Sequence, residues 1–311
     1  MPSKVKTIDL NFLSFTNTVA VYLIPHAKGV VLVESGPGST LCGLEAGLQA
    51  YGYGFRDVTD VFITHIHLDH AGASGALARY GARIHIHPKG AAHMIDPEKL
   101  LNSARRIYGD AMDYLWGEFL PVPEKQLSVL EDGAEVKIGD VSIVALYTPG
   151  HANHHICYLF EDVCFSGDVG SCRIKSQQYL SMPYVPPEFH LELWRATVDR
   201  LRQVGFKYIA PTHFGIFNDV HYHMNMLEQN LKDVEAWMEK VMPADPPLEE
   251  ISRLFQEWTH QKFQAYNLTP EMRRIYEAAN SSFMAAAAIQ RYWHKYRLGE
   301  DAAGDSGERK N

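Results

Sequence analysis

The sequence predicts an α/β fold with a helical insert and a helical C-terminal appendage, and three observations predict it. Short β-branched runs alternate with helical patterns through about the first 215 residues, which is how strands and helices come to lie in layers on a shared core. An aromatic-rich helical stretch at 97–120 breaks that rhythm. Past about residue 218 the strand signal stops.

In chain order, Val19 to Val33 contains two β-branched runs separated by Pro25, His26 and Gly29, which reads as a hairpin. Leu44, Leu48 and Tyr51 recur at helical spacing and predict a helix over 40–51, followed by a short buried-type strand at Val61-Phe-Ile63. Ala71 to Tyr80 is expected to be helical and Arg83 to His87 extended. The insert follows, with Tyr108, Tyr114, Trp116 and Phe119 as its aromatic residues. Strands resume at 134–138, 141–147, 156–160 and 163–166, then a helix marked by Trp194, Val198 and Leu201, then a last strand at Tyr208-Ile-Ala210. Three helices are expected beyond: one carrying Met224, Leu227, Leu231, Val234, Met238 and Val241, one opened by Pro246-Pro247, and one opened by Thr269-Pro270 as N-cap and first turn.

A chain of 311 residues exceeds the size, about 250–300 residues, at which one core stops growing. The expected division is a main domain over 1–217 with its insert at about 90–125, a helical region over 218–298, and a polar, disordered tail over 299–311. The net charge of −8, with no basic patch, argues against a nucleic-acid or anionic-membrane partner and leaves a small molecule as the expected substrate. Cys42, Cys157, Cys164 and Cys172 form no CxxC pair or disulfide framework, as expected in a reducing compartment. With no apolar leader and no apolar run of spanning length, the cytoplasm is the default location. The C-terminal helices are candidates for a lid or for a homodimer interface, and the sequence leaves the two open.

The chemistry sits in Thr64-His-Ile-His-Leu-Asp-His70, directly after an apolar strand. Four ligand-type side chains, His65, His67, Asp69 and His70, make a poor core unless something pairs them, and a metal does so. On a turn leaving a strand, alternating histidines point one way and the following Asp-His pair another, so one loop can serve two ions. Thr148-Pro-Gly-His151, Ser166-Gly-Asp168 and Pro211-Thr-His213 each put one further ligand type just past an expected strand. Strand ends are where rigid backbone lets loops converge.

These motifs together resemble the metallo-β-lactamase superfamily, whose four-layer αββα sandwich carries five ligand motifs in this order. The match runs over about 15–215, and Thr-His-x-His-x-Asp-His, Gly-His and His-Ile-Cys-Tyr at 155–158 are most similar to the glyoxalase II branch. The resemblance implies that His65, His67 and His151 hold one metal, that Asp69, His70 and His213 hold a second, and that Asp168 bridges them. It implies two divalent ions, zinc first with iron or manganese as alternatives. Two such ions lower the pKa of a shared water toward neutrality, so the expected activity is hydrolysis of an ester, thioester, lactone or phosphodiester by a metal-bridging hydroxide, with Asp69 also orienting it.

Other residues read less sharply. His85 and His87 also form an HxH pair, but period-2 alternation places them on one ordinary half-exposed strand face. His155, and less clearly His154, are expected to hydrogen-bond behind the ligands. Tyr184 either reaches the pocket or packs on Pro183 and Pro186, and Cys172 reads as inert. Two rival functions stay open. One is a persulfide dioxygenase-like oxidoreductase with a single iron on the counterparts of His65, His151 and Asp168; the other is a metal-loaded effector with little catalysis.

Overall fold

The computed structural model describes residue 2 and residues 4–174 and 177–299, so the expected tail lies, from residue 300 on, outside the described residues. Two sheets stack face to face. The first runs β1 (Lys6–Asp9), β2 (Ala20–His26), β3 (Gly29–Val33), β4 (Val58–Phe62), β5 (Arg83–Ile86) and β6 (Leu127–Val129) in that spatial order. Pairing is antiparallel from β1 to β3 and parallel from β3 to β6. The second sheet contains β7 (Glu135–Ile138), β8 (Val141–Tyr147), β9 (Ile156–Phe160), β10 (Val163–Phe165) and β11 (Tyr208–Ala210), ordered β11-β10-β9-β8-β7. Only β10 and β11 pair in parallel within it.

The apolar runs of β2, β3 and β9 are continuous because both faces of each sheet are covered, as expected for strands in the middle of a layered fold. Tyr22, Ile24, Val31, Val33 and Phe62 face Ile143, Ala145, Tyr158, Phe160 and Phe165 in the layer between the sheets. The alternate residues Val21, Leu23, Val30 and Leu32 face outward onto α1 (Leu41–Ala50) and α3 (Ser74–Arg79), through Leu44, Leu48, Leu77 and Ala78. On the other side, Leu146 and Cys157 pack beneath α7 (Leu191–Arg202) and the C-terminal helices. Helix, sheet, sheet and helix therefore stack as the αββα sandwich that the sequence resemblance implies.

The insert consists of α4 (Pro88–Ile95), α5 (Glu98–Tyr108) and α6 (Met112–Trp116). It is anchored by Trp116, which stacks on Phe12 at 5.5 Å and meets Tyr108 edge-on at 5.1 Å. Beyond β11 lie α8 (Val220–Val241), α9 (Leu248–Ala265), α10 (Pro270–Ala279) and α11 (Ser282–Tyr292), which are four helices and not the expected three. The expected third helix breaks at Asn280-Ser281, where both residues are extended and the Asn280 amide donates to the Ser181 hydroxyl and the Met182 carbonyl. Strands β1 and β6 are also additions, and the helix expected from Ala71 is split into α2 (Leu68–Ala71) and α3.

The reading of His85 and His87 as half-exposed is corrected. Both are buried, His85 at 2% exposure with Nε2 2.7 Å from Asp60 and its ring stacked on Phe62, and His87 capping α4 through the Lys89 amide while stacking on Tyr147. A salt-bridged partner and an aromatic lid let a polar strand face go inside. No helix among the described residues is long and apolar enough to cross a membrane.

Candidate metal centre

Four strands deliver the candidate ligands, and all do so from their C-terminal ends. His65 and His67 follow β4, with Asp69 and His70 on the first turn of α2; His151 follows β8, Asp168 follows β10 on a tight turn at Gly167–Gly170, and His213 follows β11. Ligand sites of layered α/β folds gather at this edge because the carboxyl ends of strands leave a crevice between diverging loops. Here the two sheets are also stitched together at that edge. The Ile156 amide donates to the Thr64 carbonyl (2.8 Å), the Ala20 amide to the Thr212 carbonyl (2.8 Å), and the Tyr158 hydroxyl to the Ile63 carbonyl (2.9 Å). Ligands from different sheets are thus fixed relative to one another before any cation arrives.

All seven sequence-predicted residues converge, and their donor atoms fall into two groups. In the first, His65 Nε2, His67 Nδ1 and His151 Nε2 form a triangle with sides of 2.9, 3.0 and 3.2 Å. Asp168 Oδ2 closes it at 3.4 Å from His151 Nε2 and 3.9 Å from His65 Nε2. In the second, His70 Nε2 and His213 Nε2 lie 3.6 and 3.3 Å from Asp69 Oδ2, and 3.2 and 3.5 Å from Asp168 Oδ1. A tetrahedral ion with ligands at about 2.0–2.1 Å spaces its donor atoms about 3.3 Å apart. Both quartets bracket that spacing, and the two oxygens of Asp168 serve one quartet each.

The tautomers point the same way. His151 Nδ1–H donates to the Pro183 carbonyl (2.7 Å) and His213 Nδ1–H to the Thr18 carbonyl (2.6 Å). His70 Nδ1–H donates to Glu34 Oε1 (2.9 Å). The Thr64 hydroxyl spends its proton on Glu34 Oε1 (2.5 Å), so it accepts from His65 Nδ1–H (3.1 Å). All four rings therefore turn an Nε2 lone pair inward, the arrangement by which outer hydrogen bonds orient metal-binding imidazoles. Among the described residues, His70 Nε2, His213 Nε2 and Asp168 Oδ1 are buried with no hydrogen-bond partner. Orphaned acceptors aimed at one point are costly unless a cation satisfies them, so the residues present fit a pair of metal ions.

Electrostatics divides the histidines. Burial, reinforced by neighbouring imidazoles, holds His65 well below the usual histidine range, and burial pushes His151 down to about 3. At His70 and His213 burial also opposes protonation but is outweighed, by Asp168, Asp69 and Glu34 at His70 and by Asp168 and Asp69 at His213, so both have raised proton affinity. Burial likewise opposes the charge of Asp168, yet His70, His151 and His213 keep its carboxyl well below the usual carboxylate range. The side with more negative charge holds protons where a second cation would sit.

Glu34 was not among the sequence candidates. It ends β3 in the left-handed region (φ 69°), fully buried, and gathers the Thr64 and Thr212 hydroxyls and His70 on Oε1 and the Thr64 amide on Oε2. His155 sits behind the ligands as expected, its Nδ1–H donating to the Thr148 hydroxyl (2.9 Å) and its Nε2 accepting from the Val169 amide. His154 has its Nε2 3.3 Å from Glu188 and lines the cleft beside the centre. Tyr184 is a core residue packed on Phe189, Trp194 and Phe255, and Cys172 is buried, with its thiol pushed up by burial.

That cleft, about 560 Å3, reaches His67, Asp69 and Asp168. Its walls come from α5, from the loop Pro183 to Glu188, and from the turn between α10 and α11.

A sequence profile described as "Metallo-beta-lactamase superfamily" matches residues 15–213. A metallo-beta-lactamase fold-containing protein of Sulfurisphaera tokodaii is 22% identical over 227 residues, 71% of this chain and 80% of that one. A crystal structure of an archaeal superfamily protein from Sulfolobus tokodaii superposes with a TM-score of 0.64 at 18% identity, covering 92% of this chain and 98% of the other. An atrochrysone carboxyl ACP thioesterase of Aspergillus fumigatus is 30% identical over 158 residues, half of this chain but 40% of that protein. A hydroxyacylglutathione hydrolase of Shewanella halifaxensis is 26% identical over 161 residues, 50% of this chain and 49% of the relative.

Proposed function

The chain belongs to the metallo-beta-lactamase superfamily, and on that premise we propose that it is a dinuclear metal-dependent hydrolase acting on a small-molecule ester or thioester. The observation that carries this reading is the pair of donor quartets sharing Asp168, one oxygen to each. When bound, two divalent ions supply a water that ionises near neutral pH and a Lewis acid for the scissile carbonyl. The remaining work falls to the chain. His65, His67 and His151 present neutral lone pairs on the buried side, and Asp168 fixes the spacing of the two halves. Asp69, whose side chain keeps 19% exposure and lines the cleft, stays ionised, its carboxyl held down to about 2, and can orient an attacking water by hydrogen bonding. The Tyr108 hydroxyl also lines the cleft, and burial together with the charge of Asp69 keeps it protonated as a donor.

The thioesterase and hydroxyacylglutathione hydrolase names among the relatives support a thioester carbonyl over a phosphodiester, and the largely apolar cleft wall supports the same choice. A glyoxalase II-like assignment rests on the wording of the motifs and that one hydroxyacylglutathione relative. Lactones share the carbonyl chemistry and belong in the same screen.

Elemental analysis of protein made without added metal, followed by turnover assays on lactones, thioesters, carboxylic esters and phosphodiesters, tests the proposal. Close to two ions per chain and hydrolysis of a carbonyl ester are expected. One iron per chain with oxygen uptake on a persulfide would replace it with the oxidoreductase, and full loading without turnover in any class would leave the effector. Asp168→Ala serves as the control: both quartets lose an edge, so metal content and activity fall together.

A further inference from the structure

The cleft says more about the substrate than that it holds a carbonyl, and this step rests on the hydrolase reading above. The cleft that reaches Asp69 and Asp168 has a large apolar share of its wall: Leu100, Ala104 and Ile107, spaced along one face of α5, line it together with Trp116 of α6 and Met284 of α11. A volume of about 560 Å3 is that of a small-molecule site able to bury most of its ligand. An acetyl group would leave most of it wet, and apolar walls gain by excluding water only if the ligand fills them.

The charged residues of the cleft are distributed unevenly. Glu188 is held by the Asn153 amide and lies 3.3 Å from His154, and Glu277 accepts from the Ser282 amide and hydroxyl, so both carboxylates are fixed by hydrogen bonds within the chain. Lys89 and His93 stand one turn apart on α4 with Lys99 at the start of α5. Lys89 donates to the Tyr147 hydroxyl (2.7 Å), and no described acidic side chain pairs with any of the three. In a chain of net charge −8, the Lys89 and Lys99 ammonium groups thus line the α4–α5 part of the cleft with no described acidic side chain paired to either.

We propose that the substrate is an amphiphilic acyl ester or thioester, with an apolar acyl chain of roughly eight or more carbons lying between α5 and the α10–α11 turn, and with an anionic leaving portion beside Lys89, His93 and Lys99. In the reaction, water oxygen bonds to the carbonyl carbon and the C–O or C–S bond breaks. The leaving oxygen or sulfur takes one water proton, and the acyl product releases the other to solvent as it becomes a carboxylate.

Two series test this. On p-nitrophenyl esters from acetate to decanoate, kcat/KM rises by up to about fourfold for each methylene buried, giving at least about thirtyfold from butanoate to octanoate. Ala104→Phe, or Ile107→Glu at the exposed rim should one variant fail to fold, removes that rise. Octanoyl coenzyme A is turned over at least about tenfold better than the octanoyl thioester of N-acetylcysteamine at low salt, and a His93→Glu/Lys99→Glu variant cancels that margin alone. Calorimetric titration of decanoate against acetate provides a readout independent of turnover, with decanoate bound and acetate not. A flat or falling chain-length profile, or equal binding of the two carboxylates, overturns the acyl assignment; equal turnover of the two thioesters overturns the anionic one. If no ester is hydrolysed yet decanoate binds and Ala104→Phe abolishes it, the hydrolase reading falls while the cleft keeps its ligand class.

Discussion

Glu34 holds more of the centre together than any ligand motif announces. It receives three side-chain donors and one amide while fully buried, in a backbone region that non-glycine residues seldom occupy. Replacing it by Gln keeps the size but puts an NH2 group against either the Thr64 amide or the three donors on Oε1, so at least one contact turns donor to donor. Glu34→Gln is expected to lower metal affinity about 10–100-fold with the fold retained, read by competition with a coloured chelator; unchanged affinity would remove Glu34 from the orienting network. The split among the histidines gives a second expectation. With the cations absent, His70 and His213 carry raised pKa values while His65 and His151 are neutral at any ordinary pH. Metal uptake near pH 7 therefore displaces about one to two protons, and apparent affinity climbs as pH rises through the pKa values of that pair and then levels off. Calorimetry in buffers of differing ionisation enthalpy measures the number, and zero net release would contradict the charge assignment. The seven candidate ligands were legible because four ligand-type side chains crowd into six positions and three more follow strands. Glu34 was not, since a lone acid after a strand has no local signature and its partners come from residues 64, 70 and 212.

Among the elements, the long strands and helices were legible because their periodicity repeats often enough to outweigh local noise, whereas β1 and β6 have four and three residues. The break between α10 and α11 escaped for another reason: Asn280 is held extended by donating to Ser181 and Met182, a tertiary contact about a hundred residues away in sequence. His85 misled in the same way, since its partner Asp60 lies on the neighbouring strand. A loop whose geometry was half visible is Thr148 to His151. Its Gly150 adopts φ 139°, and a Cβ there would sit 2.4 Å from the Trp194 Cα and 2.5 Å from its Cβ. The backbone of α7 thus presses directly on the loop that aims His151, whose ring also meets Trp194 edge-on at 5.8 Å. Gly150→Ala must either push α7 away or turn the loop. We expect a loss of about 2–4 kcal/mol in unfolding free energy, from urea denaturation, together with weakened metal binding at the proposed His65–His67–His151–Asp168 quartet. A variant as stable as the parent, with the parent's metal content, would mean that α7 yields freely.

At the scale of the whole molecule, the helices beyond β11 and the second sheet share one core. Trp194, Leu191 and Val198 of α7 pack in a single cluster with Met224, Leu227 and Leu231 of α8, Phe255 of α9 and Ile289 and Tyr292 of α11. Polar contacts follow the same seam: the Tyr292 hydroxyl donates to Glu192 (2.6 Å), and Glu235 of α8 receives both Arg195 of α7 and Arg297. The Tyr276 hydroxyl reaches back to the Tyr179 carbonyl (2.8 Å), close to the wall of the cleft. Removing everything after residue 217 would bare a row of large apolar side chains on α7. At about 1.5–3 kcal/mol for each side chain re-exposed, Leu191, Trp194, Val198 and Leu201 together cost an amount comparable to the roughly 5–15 kcal/mol by which a domain of this kind is stable. The sequence reads this region as an appendage, since helical periodicity tells which residues turn inward but not whose core they enter. The shared cluster leads us to expect that a chain ended at residue 217 is insoluble or lacks a cooperative thermal transition, and binds no metal even though it keeps all seven candidate ligands. A soluble, two-metal fragment of 217 residues with a sharp transition would show that the sandwich closes its second face unaided, and the helices would then owe their place to the cleft alone.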